Sequence, residues 1–129
     1  MKTVPLWTDL YPRPNDIPIS PLPEKVDVAI IGSGYTGLNA ALVLADSSSE
    51  VAVLEQETIG WGASSRNGSM LTTGLKAPIK WVMKRYGREA AHHFWSWSLK
   101  AIDHVQAVIE KEKIACEFSR PGHAYLAYK

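Results

Sequence analysis

The sequence has a single cysteine, Cys116. An intramolecular disulfide and an all-cysteine metal site are therefore excluded, and a reducing, cytoplasmic compartment suits the chain. No apolar run approaches the roughly 20 residues that a membrane helix needs. The opening run Met1-Lys2-Thr3-Val4-Pro5-Leu6-Trp7 has no apolar h-region, so no signal peptide is visible. Charge of one sign is also lacking. The net charge is +1, which removes any bulk electrostatic argument for nucleic acid or a membrane surface as partner. Histidine is scarce and badly spaced for a metal. His92 and His93 are adjacent and point to different helix faces, while His104 and His123 belong to no ligand-spacing pattern. All four read as structural or surface residues, and no metal is expected. What remains is the composition of a globular protein, and 129 residues suffice for one domain.

Against that plain background one stretch stands out. Gly32-Ser33-Gly34-Tyr35-Thr36-Gly37 reads G-x-G-x-x-G. Alone the pattern is weak; its flanks make it specific. Before it runs Val26-Asp27-Val28-Ala29-Ile30-Ile31, an apolar, β-branched run of the kind expected for a strand buried on both faces. After it, Leu38 to Ala45 is a helix former with no Gly or Pro. Glu50 to Leu54 then gives a second strand that ends on Glu55. Strand, glycine turn, helix, strand and acid within about 30 residues is the dinucleotide-binding pattern of a parallel βαβ unit. Gly32 permits the tight turn, Gly34 lets the backbone approach a pyrophosphate, and Gly37 lets the helix lie close to the sheet. The helix N-terminus offers free N–H groups and a positive dipole end to phosphates. Glu55 is placed to accept bonds from two ribose hydroxyls, and its charge repels a 2′-phosphate, which disfavours NADP.

The rest of the chain surrounds this unit. Residues 1–25 form a proline-rich arm, with six of the eight prolines at positions 5, 12, 14, 18, 21 and 23. Such spacing predicts extended geometry rather than helix, with Trp7, Leu10, Tyr11 and Ile17 available to pin the arm to a surface. Residues 58–69 hold three glycines, three serines, Arg66 and Asn67, a loop rich in backbone donors that suits an anion-binding nest. Residues 78–86 read as a short helix closed by Gly87, and 88–113 as one long helix with an apolar stripe from Ala91 to Ile109. Lys80, Lys84 and Arg88 read as a solvated face. Cys116 to Ser119 and His123 to Tyr128 read as a terminal β-hairpin turning at Arg120-Pro121-Gly122, with Cys116 a small, partly buried side chain.

The glycine turn, Glu55 and the run Ile59-Gly60-Trp61-Gly62-Ala63-Ser64-Ser65-Arg66-Asn67-Gly68-Ser69 together resemble the D-amino acid oxidase-like family of FAD-dependent oxidoreductases. Within it they are most similar to the γ-glutamylputrescine oxidoreductase type, and the likeness extends over nearly the whole chain. The resemblance implies FAD. It places Gly32, Gly34, Tyr35, Thr36 and Gly37 along the pyrophosphate, Glu55 on the adenosine ribose and Gln56 beside the adenine. Gly62, Ala63 and Ser64 would contact the phosphate–ribityl region, and Arg66, Asn67 and Gly68 would approach the flavin ring. Some relatives attach the flavin through a histidine in this loop; Arg66 occupies the comparable place, so the flavin is expected to be non-covalent.

The implied reaction is oxidation of the C–N bond of a small-molecule amine or amino acid, giving an imine that hydrolyses to a carbonyl, with hydrogen peroxide formed from oxygen. In this family the substrate-gripping residues lie mostly beyond residue 129, so no catalytic residue is named. The expected fold is α/β: residues 26–129 as the N-terminal part of a Rossmann-like FAD-binding domain, with βαβ unit, long helix and terminal hairpin, in a chain read as truncated. Two alternatives share the βαβ unit: an NAD-dependent dehydrogenase, and an inert fragment with no activity of its own.

Overall fold

A computed structural model describes residues 3–14, 17, 20–124 and 126. Along the chain it shows α1 (Leu6–Leu10), β1 (Val28–Ile31), α2 (Tyr35–Ala45), β2 (Val51–Leu54), a 3-10 turn at Ala63–Ser65, and α3 (Ile79–Lys111). The chain divides into two compact units, Met1–Ser69 and Met70–Lys129. Among the described residues no helix is long and apolar enough to cross a membrane.

The first unit is built on the expected parallel pair. β1 and β2 run in the same direction, with Val28 opposite Val51 and Ile31 opposite Leu54. α2 connects them, starting at Tyr35 with Gly34 as its N-cap. Its Ala- and Leu-rich interior has high helix propensity. Both N–H groups of Asp27 and Val28 donate to Glu50 O at 3.1 Å, and Glu50 N–H donates back to Asp27 Oδ2 at 2.9 Å. These bonds fix the register from the strand starts, so both strands end together at the glycine turn.

One expectation about β1 fails. The strand is not buried on both faces: Val28 and Ile30 are half-buried, whereas Ala29 is exposed and Ile31 is 90% exposed. The reason is that α2 covers one face only. A Cβ on Gly37 of α2 would lie 3.2 Å from Ile30 Cγ2, which identifies the covered face.

The proline-rich arm also departs from expectation, because it contains a helix. Six residues separate Pro5 from Pro12. Pro5 acts as the N-cap of α1, its carbonyl accepting from Asp9 N at 3.1 Å and from Thr8 Oγ1 at 3.0 Å. A proline before the first turn loses no helical bond, and the helix stops at Tyr11 just ahead of Pro12. Of the residues expected to pin the arm, Trp7 is half-buried, while Leu10, Tyr11 and Ile17 are about half exposed.

In the second unit, α3 has Pro78 as its N-cap and is interrupted at Gly87, whose φ of 87° and ψ of 167° are not helical. The two expected helices are thus present, joined across a kink and ending at Lys111. Four aromatic rings bridge that kink edge to face: Trp81 on Tyr86 at 6.1 Å, Tyr86 on Phe94 at 6.3 Å, and Phe94 on Trp97 at 5.7 Å between centroids. Val82, Ala91 and Ile102 are buried, and most of the expected stripe is at least half-buried, with Trp95 and Ala101 exposed.

The terminal hairpin is corrected. Residues 114–124 contain no strand. Lys113 and Glu117 take positive φ values of 53° and 51°, which break an extended run. Arg120 instead turns back to α3, 2.7 Å from Asp103 Oδ1 and 2.9 Å from Gln106 Oε1. Tyr125, Ala127 and Tyr128 of the expected second strand lie outside the described residues. Cys116 is exposed rather than partly buried, because the segment after α3 is irregular and leaves it uncovered.

Candidate functional site

The glycine turn, the acid after β2 and the loop 58–69 converge at the carboxyl ends of the two parallel strands. Gly32 takes φ +96°, a conformation that side chains other than glycine's rarely adopt, and its N–H donates to Leu54 O at 2.7 Å. That turn delivers Ser33 to the centre of the site. Ser33 is 2% exposed and is the buried polar residue among those described.

Ser33 was not among the residues singled out from the sequence, yet it holds the site together. Its N–H and its hydroxyl both donate to Glu55 Oε2, at 2.9 and 2.6 Å. Its Oγ also accepts from Gly60 N at 3.0 Å. One buried hydroxyl therefore joins the end of β1, the end of β2 and the start of the loop. The available signal was the polar residue between the first two glycines of the motif, opposite an acid.

Glu55 is consequently held as a carboxylate. The Ser33 hydroxyl, then the Ser33 N–H and the Glu57 N–H, lower its pKa from 4.5 to about 2. Glu57 N donates to Oε1 at 3.1 Å, so three of roughly four acceptor positions on the carboxylate are used. Gln56 follows it and is exposed.

At the N-terminus of α2, Gly34 brings no capping side chain. Ser64 supplies one from the loop: its Oγ accepts from Tyr35 N at 3.0 Å. A Cβ on Gly34 would stand 3.0 Å from that same Oγ, so the absence of a side chain makes the approach possible. Gly37 serves another purpose. Its Cβ would collide with the carbonyl oxygen of Gly32, so only glycine lets the first turn of α2 pass so close to the strand end.

The loop is ordered by its own side chains. Asn67 Nδ2 donates to Ala63 O and Ser64 O at 3.1 and 3.0 Å, and its Oδ1 accepts from Ser69 N at 2.7 Å. These bonds close the loop around the 3-10 turn, with Gly62 as the N-cap of that turn and Gly68 beside Asn67. Arg66 lies over the ring of Trp61, its Cζ 4.0 Å from the centroid. Direct bonds thus join Gly32 to the end of β2, Ser33 to Glu55 and Tyr35 to Ser64, while Arg66 and Asn67 are engaged within the loop.

The arm reaches the same loop. Trp7 Nε1 donates to Asn67 O at 2.7 Å. Arg13 donates from Nη1 to Thr58 Oγ1 at 2.7 Å and from Nη2 to Ser65 Oγ at 2.9 Å. Arg13 carried no signal in the sequence, since nothing in its spacing from the loop is periodic.

Comparison with known proteins agrees with the geometry. The FAD dependent oxidoreductase family, DAO, matches residues 27–129, and the chain belongs to this family. Probable oxidoreductase OrdL of Haemophilus influenzae is 40% identical over 117 residues, covering 89% of this chain and 27% of that protein. Gamma-glutamylputrescine oxidoreductase of Escherichia coli is 37% identical over 112 residues, 85% of this chain and 26% of that protein. A second probable oxidoreductase OrdL, from Rhizobium meliloti, is 38% identical over 112 residues, 87% of this chain and 26% of that protein. The chain therefore spans about a quarter of the length of the curated relatives it matches. No solved structure matches it at a significant level.

Proposed function

We propose that the chain forms the adenosine- and diphosphate-binding part of a Rossmann-like FAD domain, in an enzyme that oxidises the C–N bond of an amine or amino acid. One observation carries this reading. The turn after β1, Glu55 after β2 and Ser64 of the loop are joined by hydrogen bonds at one edge of a parallel pair. Open α/β sheets hold nucleotides beyond the carboxyl ends of their strands.

The residues present fit a dinucleotide. The first-turn N–H groups of α2 at Thr36 and Gly37 have no intrahelical partner by helix geometry and favour an anion. Ser64 accepts from Tyr35, so its own proton is available to a phosphate oxygen. Glu55, anionic at ordinary pH, has an acceptor position left for a ribose hydroxyl and disfavours a further phosphate there. In this reading Gly32, Gly34, Tyr35, Thr36 and Gly37 line the diphosphate, Glu55 holds the ribose and Gln56 stands beside the adenine. Gly62, Ala63 and Ser64 serve the phosphate–ribityl region, with Arg66, Asn67 and Gly68 nearest the ring. The loop contains no histidine or cysteine, which supports non-covalent binding.

The chemistry FAD supplies when bound is two-electron oxidation of the C–N bond to an imine, with oxygen taking the electrons as hydrogen peroxide. In this reading the residues of this chain bind and orient the cofactor, and the groups that grip substrate lie mostly outside it. The relative named for γ-glutamylputrescine supports an amine substrate. A cytoplasmic location is part of the same reading, supported by the single, exposed cysteine.

The test is purification of the protein at the full length of its relatives, followed by a flavin absorbance spectrum and an amine-dependent peroxide assay. Copurifying, acid-extractable FAD and peroxide release with an amine are expected. Protein that binds NAD and carries no flavin would overturn the reading.

A further inference from the structure

We propose that the N-terminal arm is a clasp on the glycine-rich loop and that Arg13 is its positioning residue. By bridging Thr58 and Ser65, it holds Ser64 at the N-terminus of α2 and so sets how tightly the loop binds its cofactor. The contact is a fork closed on two hydroxyls. Nη1 reaches Thr58 at 2.7 Å and Nη2 reaches Ser65 at 2.9 Å. Thr58 lies at the start of the loop and Ser65 ends its 3-10 turn, so one rigid guanidinium ties two points that the loop backbone leaves separate. Trp7 makes a third tie at Asn67 O, 2.7 Å away. The three ties span 45, 52 and 60 positions of sequence. Contacts so distant in sequence add to the loop's own Asn67 bonds and tie the closed loop to the arm.

Ser64 sits between these ties, next to Ser65 and three residues before Asn67. Its bond to Tyr35 N is 3.0 Å long, and Asn67 Nδ2 holds its carbonyl at 3.0 Å. A loop displaced by an ångström loses the Tyr35 bond, because hydrogen bonds weaken steeply past their normal length. The hydrogen bonds of Arg13 go to Thr58 and Ser65, so it acts on Ser64 through Ser65.

The link to the cofactor rests on the reading that FAD lies along this loop, whereas the clasp itself does not. Arg13→Ala, Arg13→Lys and Arg13→Gln would be made in the protein at the full length of its relatives and stripped of flavin. Exchange of the Trp61 and Arg66 amides, which donate to Thr58 O and Ala63 O inside the loop, is measured first without flavin. FAD affinity is then measured by titration. We expect exchange about tenfold faster in Arg13→Ala and FAD affinity weaker by about the same factor, as loss of two modest bonds implies. Arg13→Lys restores neither, since one ammonium does not span both hydroxyls as the fork does, while added guanidinium ion restores both in Arg13→Ala. Thr58→Val removes one leg only and is expected to give about a threefold effect, a milder variant should Arg13→Ala not fold. Unchanged exchange in Arg13→Ala overturns the clasp. Full recovery in Arg13→Lys overturns the bridging role. Faster exchange with unchanged FAD affinity overturns the role in cofactor binding. Parent protein that shows the loop protection but binds no FAD refutes the functional reading and leaves the clasp standing.

Discussion

Each of the two compact units turns on a glycine whose replacement carries a cost, Gly37 in the first and Gly87 in the second, for opposite reasons. Gly37 has an ordinary helical backbone and no room: a side chain would meet the Gly32 carbonyl oxygen, the Gly32 carbonyl carbon and Ile30. Gly87 has ample room and an unusual backbone: nothing lies within 4 Å of its would-be Cβ, but its φ is 87° and its ψ 167°. Crowding at Gly37 reports a helix forced against the end of a strand, which is what a site built between them requires. The open conformation at Gly87 reports a bend and no neighbour. The first unit is laced by polar bonds up to 60 positions apart in sequence, while the second combines a few such bonds with apolar burial and aromatic edges.

The largest effect should come from breaking the crowded glycine. Gly37→Ala places a methyl group against backbone rather than a pliable side chain, so the helix or the turn must shift. We expect a loss of about 3 kcal/mol or more, above the usual range for overpacking because the neighbour is main chain. Chemical denaturation gives the stability, and the same variant should fail to retain FAD. A loss below about 1 kcal/mol would mean that α2 slides freely on the sheet.

Gly87→Ala probes the other half of the comparison. Its backbone lies in a region that is essentially confined to glycine, and holding alanine there costs about 2 kcal/mol. The chain can escape that cost by continuing the helix, because alanine is the best helix former. Either way the kink is what changes: the edge-to-face contact of Tyr86 with Phe94 across it, 6.3 Å at present, should be lost. Near-ultraviolet circular dichroism reads the aromatic contact and thermal unfolding reads the cost. FAD affinity should move far less than in Gly37→Ala.

These two glycines also show how much of the molecule was legible beforehand. Gly37 and the parallel pair follow from a pattern whose parts are contiguous, so strand, turn, helix and acid could be placed to within a few residues. Gly87 was visible as a stop between two apolar-periodic helices. Ser33, Arg13 and Trp7 were not legible as site residues, because their partners lie 22 to 60 positions away and side-chain bonds leave no periodic trace. The helix Leu6–Leu10 departs from the extended arm that the proline spacing predicts, because a proline at the N-cap is compatible with a helix. The hairpin after Lys111 failed for the converse reason. Alternating residues around Pro121-Gly122 resemble strands, but Arg120 finds Asp103 and Gln106 on α3 instead.

A smaller effect should sharpen the role of polar bonding in the first unit. Ser33→Ala removes the hydroxyl shared by Glu55 and Gly60 and leaves the Gly60 N–H without its acceptor, a loss of about 1.5 kcal/mol. The pH dependence has a definite sign. The folded-state pKa of Glu55 is lowered from 4.5 to about 2, so its contribution is fully present above pH 4.5 and is lost as pH falls through about 2. In Ser33→Ala the main cause of that shift is gone, so the carboxyl should titrate closer to 4.5 and the acid stability of the turn should fade earlier. Carboxyl-carbon chemical shifts of Glu55 in both proteins measure this. An unmoved pKa would assign the shift to the backbone N–H groups alone.

The smallest effect on stability is expected at Arg66, and it is the most informative about chemistry. Arg66 is exposed and stacks on Trp61 at 4.0 Å, an arrangement worth about 0.5 kcal/mol at a wet surface. Arg66→Ala should therefore unfold at nearly the parent temperature. The loop would keep its shape, since Asn67 and the 3-10 turn hold it without help from Arg66. If the loop faces the flavin ring, a fixed cation there favours negative charge on the reduced flavin, because such charges act strongly where water is excluded. The variant should then retain FAD, show a more negative flavin reduction potential and be reduced more slowly by substrate. Arg66→Lys, which keeps the charge and gives up most of the stacking, should recover the potential, whereas Trp61→Ala should disturb it by releasing the guanidinium. Loss of FAD from Arg66→Ala at normal protein yield would instead make Arg66 an anchor for phosphate and move the flavin ring away from this end of the loop.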